Sequence, residues 1–150
     1  AKPRPLTRQD LLGRVWVADF IFTHCSGPCP MLSLTMSRLQ KDLPAEVGLL
    51  SFTVDPDRDD IPRLAAYARQ FAAEPARWLF VTGQKEPLYD ILIAGFKVPV
   101  VSDLRAPSGQ RITHSTRLAL IDGQGRLRGY FDAEDQVALE RLKKIAAKLN

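Results

Sequence analysis

Val15-Trp16-Val17-Ala18-Asp19-Phe20-Ile21-Phe22-Thr23-His24-Cys25-Ser26-Gly27-Pro28-Cys29-Pro30 is the stretch on which the fold turns. Its first eight residues, Val15 to Phe22, form a nearly continuous apolar run, as expected of a strand covered on both faces of a sheet. Thr23 to Pro30 then changes character, because Ser, Gly and two prolines favour a turn. From about Met31 to Leu43 the residues Leu32, Met36, Leu39 and Leu43 recur at helical spacing. A central strand, a turn holding two cysteines and an amphipathic helix therefore follow one another, and the cysteines straddle the strand-to-helix junction.

Further along, a second strand is expected from about Val47 to Val54, closed by Asp55-Pro56-Asp57-Arg58-Asp59-Asp60, where Pro and repeated Asp favour a turn and a helix cap. The next helix should start near Ile61-Pro62, with proline where a missing N–H does no harm, and bury Leu64, Tyr67, Ala68 and Phe71. Trp78 to Val81 reads as a strand, and Pro87 to Phe96 as a helix with Leu88, Ile91, Leu92 and Phe96 inward. Lys97 to Ile112 is irregular, and its Pro99, Pro107 and Gly109 point to a loop or short hairpin over the sheet end, from which His114 emerges. Thr116 to Ile121 and Arg126 to Phe131, joined by Asp122-Gly123-Gln124-Gly125, give the best hairpin signal. The final helix is expected after Asp132 as N-cap, with Ala138, Leu142, Ile145 and Leu149 on one face. This alternation predicts an α/β domain around a central sheet, with residues 1–150 forming a single domain free of repeats or linkers.

A chain of 150 residues buries about two-thirds of its unfolded surface, enough for one proper core. Its 45% hydrophobic and 25% charged residues are ordinary, and no apolar run approaches the roughly 20 residues of a membrane-spanning helix, so the chain reads as soluble. The net charge of +4 comes from scattered Lys and Arg without aromatic interleaving, which argues against nucleic acid and leaves a surface suited to an anionic membrane or an acidic partner. Ala1-Lys2-Pro3-Arg4-Pro5 shows neither an apolar signal core nor an initiator Met, as expected of a trimmed form whose N-terminal signal or anchor has been removed.

Two cysteines separated by three residues at a helix start lie about one turn apart, so both sulfurs can address one spot, for a disulfide or for joint metal binding. The helix N-terminus favours thiolate over thiol. Thiolates select soft ions, so Cu(I) and Zn(II) fit where Mg and Ca do not. Two sulfurs leave a metal under-coordinated, and the chain offers only His24 and His114 as a third nitrogen ligand. His24 sits at a strand end, where packing or hydrogen bonding is the commoner role. His114 adjoins an irregular loop of the kind that carries function. Spacing alone does not choose between them.

Phe22 to Pro30 resembles the C-x-x-x-C-P segment of the Sco/SenC proteins. Thr53-Val54-Asp55-Pro56-Asp57-Arg58-Asp59 is similar to that family's D-P-x-R-D element, and Thr113-His114-Ser115-Thr116 leads, as there, into Leu120-Ile121-Asp122. The resemblance runs from about Leu12 through the final helix. It implies a thioredoxin-like α/β fold, a central mixed β-sheet flanked by helices, in which Cys25, Cys29 and His114 hold one copper ion as Cu(I), Cu(II) or both. It further implies a metallochaperone that assists assembly of the dinuclear copper centre of cytochrome c oxidase. The partners implied are the copper-accepting oxidase subunit and other periplasmic copper chaperones. The implied location is the periplasmic face of the bacterial inner membrane, with the native protein tethered there.

The same Cys25 and Cys29, used as a redox-active dithiol, would serve a thiol-disulfide oxidoreductase that reduces the copper-ligand cysteines of the oxidase subunit. His114, which a simple dithiol reductase does not need, and the three-residue spacer favour copper. A peroxidase and a structural domain with an incidental disulfide are weaker alternatives. The chain departs from the family in having Ser26-Gly27-Pro28 between the cysteines and Thr113 before the histidine, where acidic residues are frequent. Asp55 is then the candidate for orienting His114 or the thiols, with holding of its own turn as the competing role. An amino-terminal hairpin usual in the family is expected to be missing or only partly present.

Overall fold

The computed structural model describes residues 5–23, 29–84, 87–88 and 116–149. All six residues of β1 (Trp16–Ile21) are buried, which is possible only in mid-sheet with both faces covered. β1 pairs in parallel with β2 (Gly48–Thr53), Trp16 facing Gly48 and Ile21 facing Thr53, and β2 pairs in parallel with β3 (Trp78–Val81). On its other side β1 runs antiparallel to β4 (Arg117–Ile121), which continues into β5 (Leu127–Asp132). Among the described residues the mixed sheet has five strands in the order β3-β2-β1-β4-β5.

A one-turn helix α1 (Arg8–Leu11) precedes the sheet, and α2 (Cys29–Asp42) and α3 (Ile61–Gln70) cross between the parallel strands. α4 (Gln136–Leu149) closes the chain. One core cluster joins Leu32, Met36 and Leu39 of α2, and Leu43 just past its end, to Leu142 and Ala146 of α4 over Val17, Leu49, Leu118 and Leu120. The opposite face carries Trp16, Ala18, Phe20, Leu50, Phe52 and Ala119. The expected apolar stripe of α2 is thus the buried one. The helix itself begins at Cys29, two residues earlier than its apolar spacing indicates, with Pro30 in a first turn that does not need its N–H.

α3 lies beside α2, tied to it by Ser33 Oγ and Tyr67 Oη at 2.7 Å and by Ser37 Oγ donating to the Phe71 carbonyl at 3.1 Å. Ala72, at φ 57°, ends α3 in the left-handed region. Gln40 supports this uncommon geometry by donating to the Ala72 carbonyl and accepting from the Glu74 N–H, at 3.1 and 2.9 Å. Asp60 caps α3 by accepting from the Arg63 N–H at 2.9 Å.

The starting end of the parallel strands is a guanidinium knot. Arg77, 8% exposed, donates to the carbonyls of Val47, Gln40, Leu43 and Pro44 at 2.5 to 3.1 Å. Arg14 donates to those of Glu46, Ala76 and Ala45 and lies 5.1 Å over the Trp16 ring. Partial burial, then the neighbouring Arg77 charge, hold the Arg14 pKa below its ordinary value, with Glu46 opposing. Gly48 is required at this end, because a Cβ there would stand 2.4 Å from the Trp16 ring.

One expectation is corrected. The final helix starts at Gln136 and is capped by Asp135, whose Oδ1 accepts from the N–H groups of Val137 and Ala138 at 3.0 and 3.4 Å. Asp132 instead closes β5 and accepts from the Glu134 N–H at 2.9 Å. Two aspartates three positions apart both precede the apolar stripe, and strand pairing claims the first. Of the helix expected from Pro87 to Phe96 only Pro87 and Leu88 are described, both helical and the latter buried; the loop or hairpin expected between Lys97 and Ile112 lies outside the described residues.

Candidate functional site

The finishing end of the parallel strands is organised around one carboxylate. Asp59 is fully buried; its Oδ2 accepts from the Thr23 N–H at 3.0 Å and the Thr53 hydroxyl at 2.7 Å, and its Oδ1 accepts from the Thr23 hydroxyl. Arg63 Nε stands 3.9 Å from Oδ1 and donates to Thr23 Oγ1 at 2.5 Å. The main chain of Asp59 takes part too: its N–H donates to the Asp55 carbonyl at 2.9 Å and its carbonyl accepts from the Thr82 hydroxyl at 3.0 Å. A buried carboxylate is tolerated because its oxygens are supplied with donors from several sides.

Thr23 is the last described residue before Cys25, and Cys29 is the first residue of α2. The fourteen-residue α2 presents the positive end of its dipole, with a first turn free of acidic residues, at the point where the described chain resumes. Ala18 faces Ala119 and Trp16 faces Ile121, so β4 enters the sheet at the end where β1 leaves it. Arg117, the first residue of β4, follows His114 by three positions. Cys25, His24 and His114 themselves lie outside the described residues, and of Cys29 only its place at the head of α2 is described. Among the described residues no three His, Cys, Asp or Glu side chains form a group that could hold a metal ion, and no helix is long and apolar enough to cross a membrane.

Asp55 is buried and holds its own turn. Its Oδ2 accepts from Arg58 Nε at 2.6 Å, and its carbonyl accepts from the N–H groups of Arg58 and Asp59. It therefore braces the turn that presents Asp59. Deeper, a buried polar chain crosses the sheet: Trp78 Nε1 donates to Ser51 Oγ at 2.9 Å, and Ser51 Oγ donates to Asp19 Oδ1 at 2.5 Å. In the sequence Asp59 is one residue of an aspartate-rich turn, with nothing of its own that singles it out. The available signal was the pair Thr23 and Thr53, polar residues ending two apolar strands that flank an aspartate-rich turn.

A family profile described as SCO1/SenC matches residues 1–150. The SCO1 protein homolog of Bacillus subtilis is 33% identical over 124 residues, covering 79% of this chain and 62% of that protein. A Stutzerimonas stutzeri protein that carries copper binding in its name is 30% identical over 150 residues, covering 97% of this chain and 71% of its own length. Among solved structures, a SCO1/SenC family lipoprotein from Bacillus anthracis aligns with a TM-score of 0.84 at 29% identity, over 97% of this chain and 87% of that one. BsSco, described with a disulfide switch and as a member of the Sco family of cytochrome c oxidase assembly proteins, aligns with a TM-score of 0.75 at 28% identity, over 93% and 82%. The fold is that of these thioredoxin-like relatives, as the motifs imply.

Proposed function

The chain belongs to the SCO1/SenC family, and from that premise we propose that it is a copper-binding metallochaperone holding one copper ion through Cys25, Cys29 and His114. The observation that carries the reading is a convergence of chain paths. β1 delivers the cysteine turn and β4 receives the chain that follows His114, both at one end of the sheet, and α2 starts there at Cys29. Two thiolates and a neutral imidazole are a soft donor set suited to Cu(I), and a mixed nitrogen and sulfur set also accepts Cu(II). The copper is cargo. Ligands drawn from two separate stretches of chain let an acceptor's ligands displace them one at a time. Asp55 acts on this site indirectly, by bracing the turn from which Asp59 reaches Thr23.

The acceptor in this reading is the copper-accepting subunit of cytochrome c oxidase, whose dinuclear centre the protein helps assemble, with other periplasmic copper chaperones as further partners. The Sco family membership named for BsSco supports the assembly role. The lipoprotein from Bacillus anthracis supports an exported, membrane-anchored protein, here assigned to the periplasmic face of the bacterial inner membrane.

The disulfide switch described for BsSco favours one second reading, a thiol-disulfide oxidoreductase. In that reaction Cys25 and Cys29 give two electrons and two protons to the disulfide formed by the acceptor's copper-ligand cysteines and close to a disulfide themselves. Titrating the reduced protein with Cu(I) against a competing chelator, and with Cu(II), tests the first reading. One equivalent is expected to bind, and disulfide closure is expected to expel it because the thiolates are consumed. His114→Ala should weaken binding sharply while leaving the pair able to close. Unchanged affinity in that variant would remove His114 from the ligand set, and a parent protein that binds no copper would leave the dithiol reading.

A further inference from the structure

Asp59 does more than a strand-end bridge requires. Bridging β1 to β2 needs one bond to each, yet the carboxylate grips Thr23 at both its N–H and its hydroxyl, and Arg63 donates to the same hydroxyl at 2.5 Å. Holding a residue by main chain and side chain fixes its rotation as well as its place. Thr23 stands two residues before Cys25, so its rotation sets the direction in which the chain leaves β1 for the cysteine turn.

The other end of that segment is fixed as well. Cys29 opens α2, which Ser33 and Ser37 tie to α3. Asp59 belongs to the turn before α3, and Asp60 caps that helix. The two attachments of the turn are thus referred to a common frame. A disulfide tolerates only a narrow range of separations, with Cα atoms about 4.4–6.8 Å apart, so the frame that sets the attachments also sets how readily the pair closes.

We propose that Asp59 is the positioning residue of the cysteine pair: by gripping Thr23 it fixes the point from which the chain leaves β1, two residues before Cys25, and so sets the balance between dithiol and disulfide. The inference rests on the reading of Cys25 and Cys29 as the working pair and assigns that pair's control to a residue outside it. Asn keeps the size of Asp59 but replaces an acceptor oxygen with an amide that confronts the donors of Thr23 and Thr53. The turn then loses its fixed departure, the sulfurs meet less often, and the dithiol gains.

The test uses metal-free protein in glutathione buffers, where dithiol and oxidised glutathione exchange with protein disulfide and two reduced glutathiones, two electrons and two protons passing to glutathione. Asp59→Asn is expected to shift the equilibrium constant about tenfold toward the dithiol, which is about 30 mV for this two-electron couple. Thr23→Val should shift it in the same direction by less, and Thr23→Ser should restore the parent value. Leu142→Ala, in the core beneath α4, should lower stability and leave the constant unmoved. A folded Asp59→Asn protein with the parent constant, or one shifted toward the disulfide, overturns the proposal. So does a Leu142→Ala protein that shifts as far. If Asp59→Asn fails to fold, the two Thr23 variants decide, and a parent-like Thr23→Val overturns the proposal. Copper titration of the parent separates the two readings: a parent that binds no copper refutes the carrier function and leaves the disulfide constant to judge Asp59.

Discussion

The two ends of the parallel strands are held by opposite charges. At the starting end Arg77 and Arg14 spread donors over backbone carbonyls; at the finishing end Asp59 gathers N–H and O–H donors. Helix polarity explains the difference. α2 runs back from the finishing end to the starting end, so its free carbonyls and negative pole meet Arg77, whose five donors and lack of acceptors suit them. α3 begins at the finishing end, where unpaired N–H groups and a positive pole suit Asp59 and Asp60. One end is built only to hold. The other holds and also adjoins the segment that carries Cys25, the candidate ligand.

Arg77→Ala breaks the comparison most severely. It strips four carbonyls of a buried charged donor and should cost about 3 kcal/mol in denaturant unfolding. The disulfide equilibrium of Cys25 and Cys29 should stay at the parent value, the converse of Asp59→Asn; a shift of equal size would show that the ends are not independent. Gly48→Ala probes the same end by steric pressure, with about 2 kcal/mol expected from a methyl 2.4 Å from the Trp16 ring. Combined with Trp16→Leu, it should cost less than the sum of the two single changes, because the ring is the obstacle.

The smallest effect is electrostatic and belongs to the β4–β5 turn, beside the guanidinium end. The Arg126 amide first, then that of Gln124 and the Arg128 charge, hold the Asp122 carboxyl below its ordinary pKa, with desolvation opposing. Its contribution is therefore complete above the unfolded aspartate value of about 4 and fades as pH falls through the lowered folded value. Asp122→Asn should flatten the acid limb of the stability profile slightly, as read by thermal unfolding across that range. The neutral-pH disulfide constant should not move.

Apolar runs and helical spacing made the frame legible: β1, β2, β3 and the hairpin strands lie where Val15 to Phe22, Val47 to Val54, Trp78 to Val81 and the Asp122 turn place them. Helix starts were less legible. Pro30 conceals the first turn of α2, and Asp132 and Asp135 compete for one cap until pairing of β5 assigns the former to the strand. The candidate ligands were legible as a pattern of soft donors, with His114 selected by resemblance to a family. The anchors were not legible at all. Arg77 is an ordinary basic residue in the chain, and Asp59 one aspartate in an acidic turn, since each acquires its role from backbone groups that only the folded topology brings near.

β1 is laddered on both sides, in parallel to β2 and antiparallel to β4, whereas β3 and β5 are the rim strands of the sheet among the described residues. Its amides should therefore exchange for deuterium only through global opening, and those of the rim strands through smaller, more frequent excursions. The segment that carries Cys25 thus follows the slowest-exchanging strand, and the isotope uptake of β1 should be the same in the reduced and the oxidised protein.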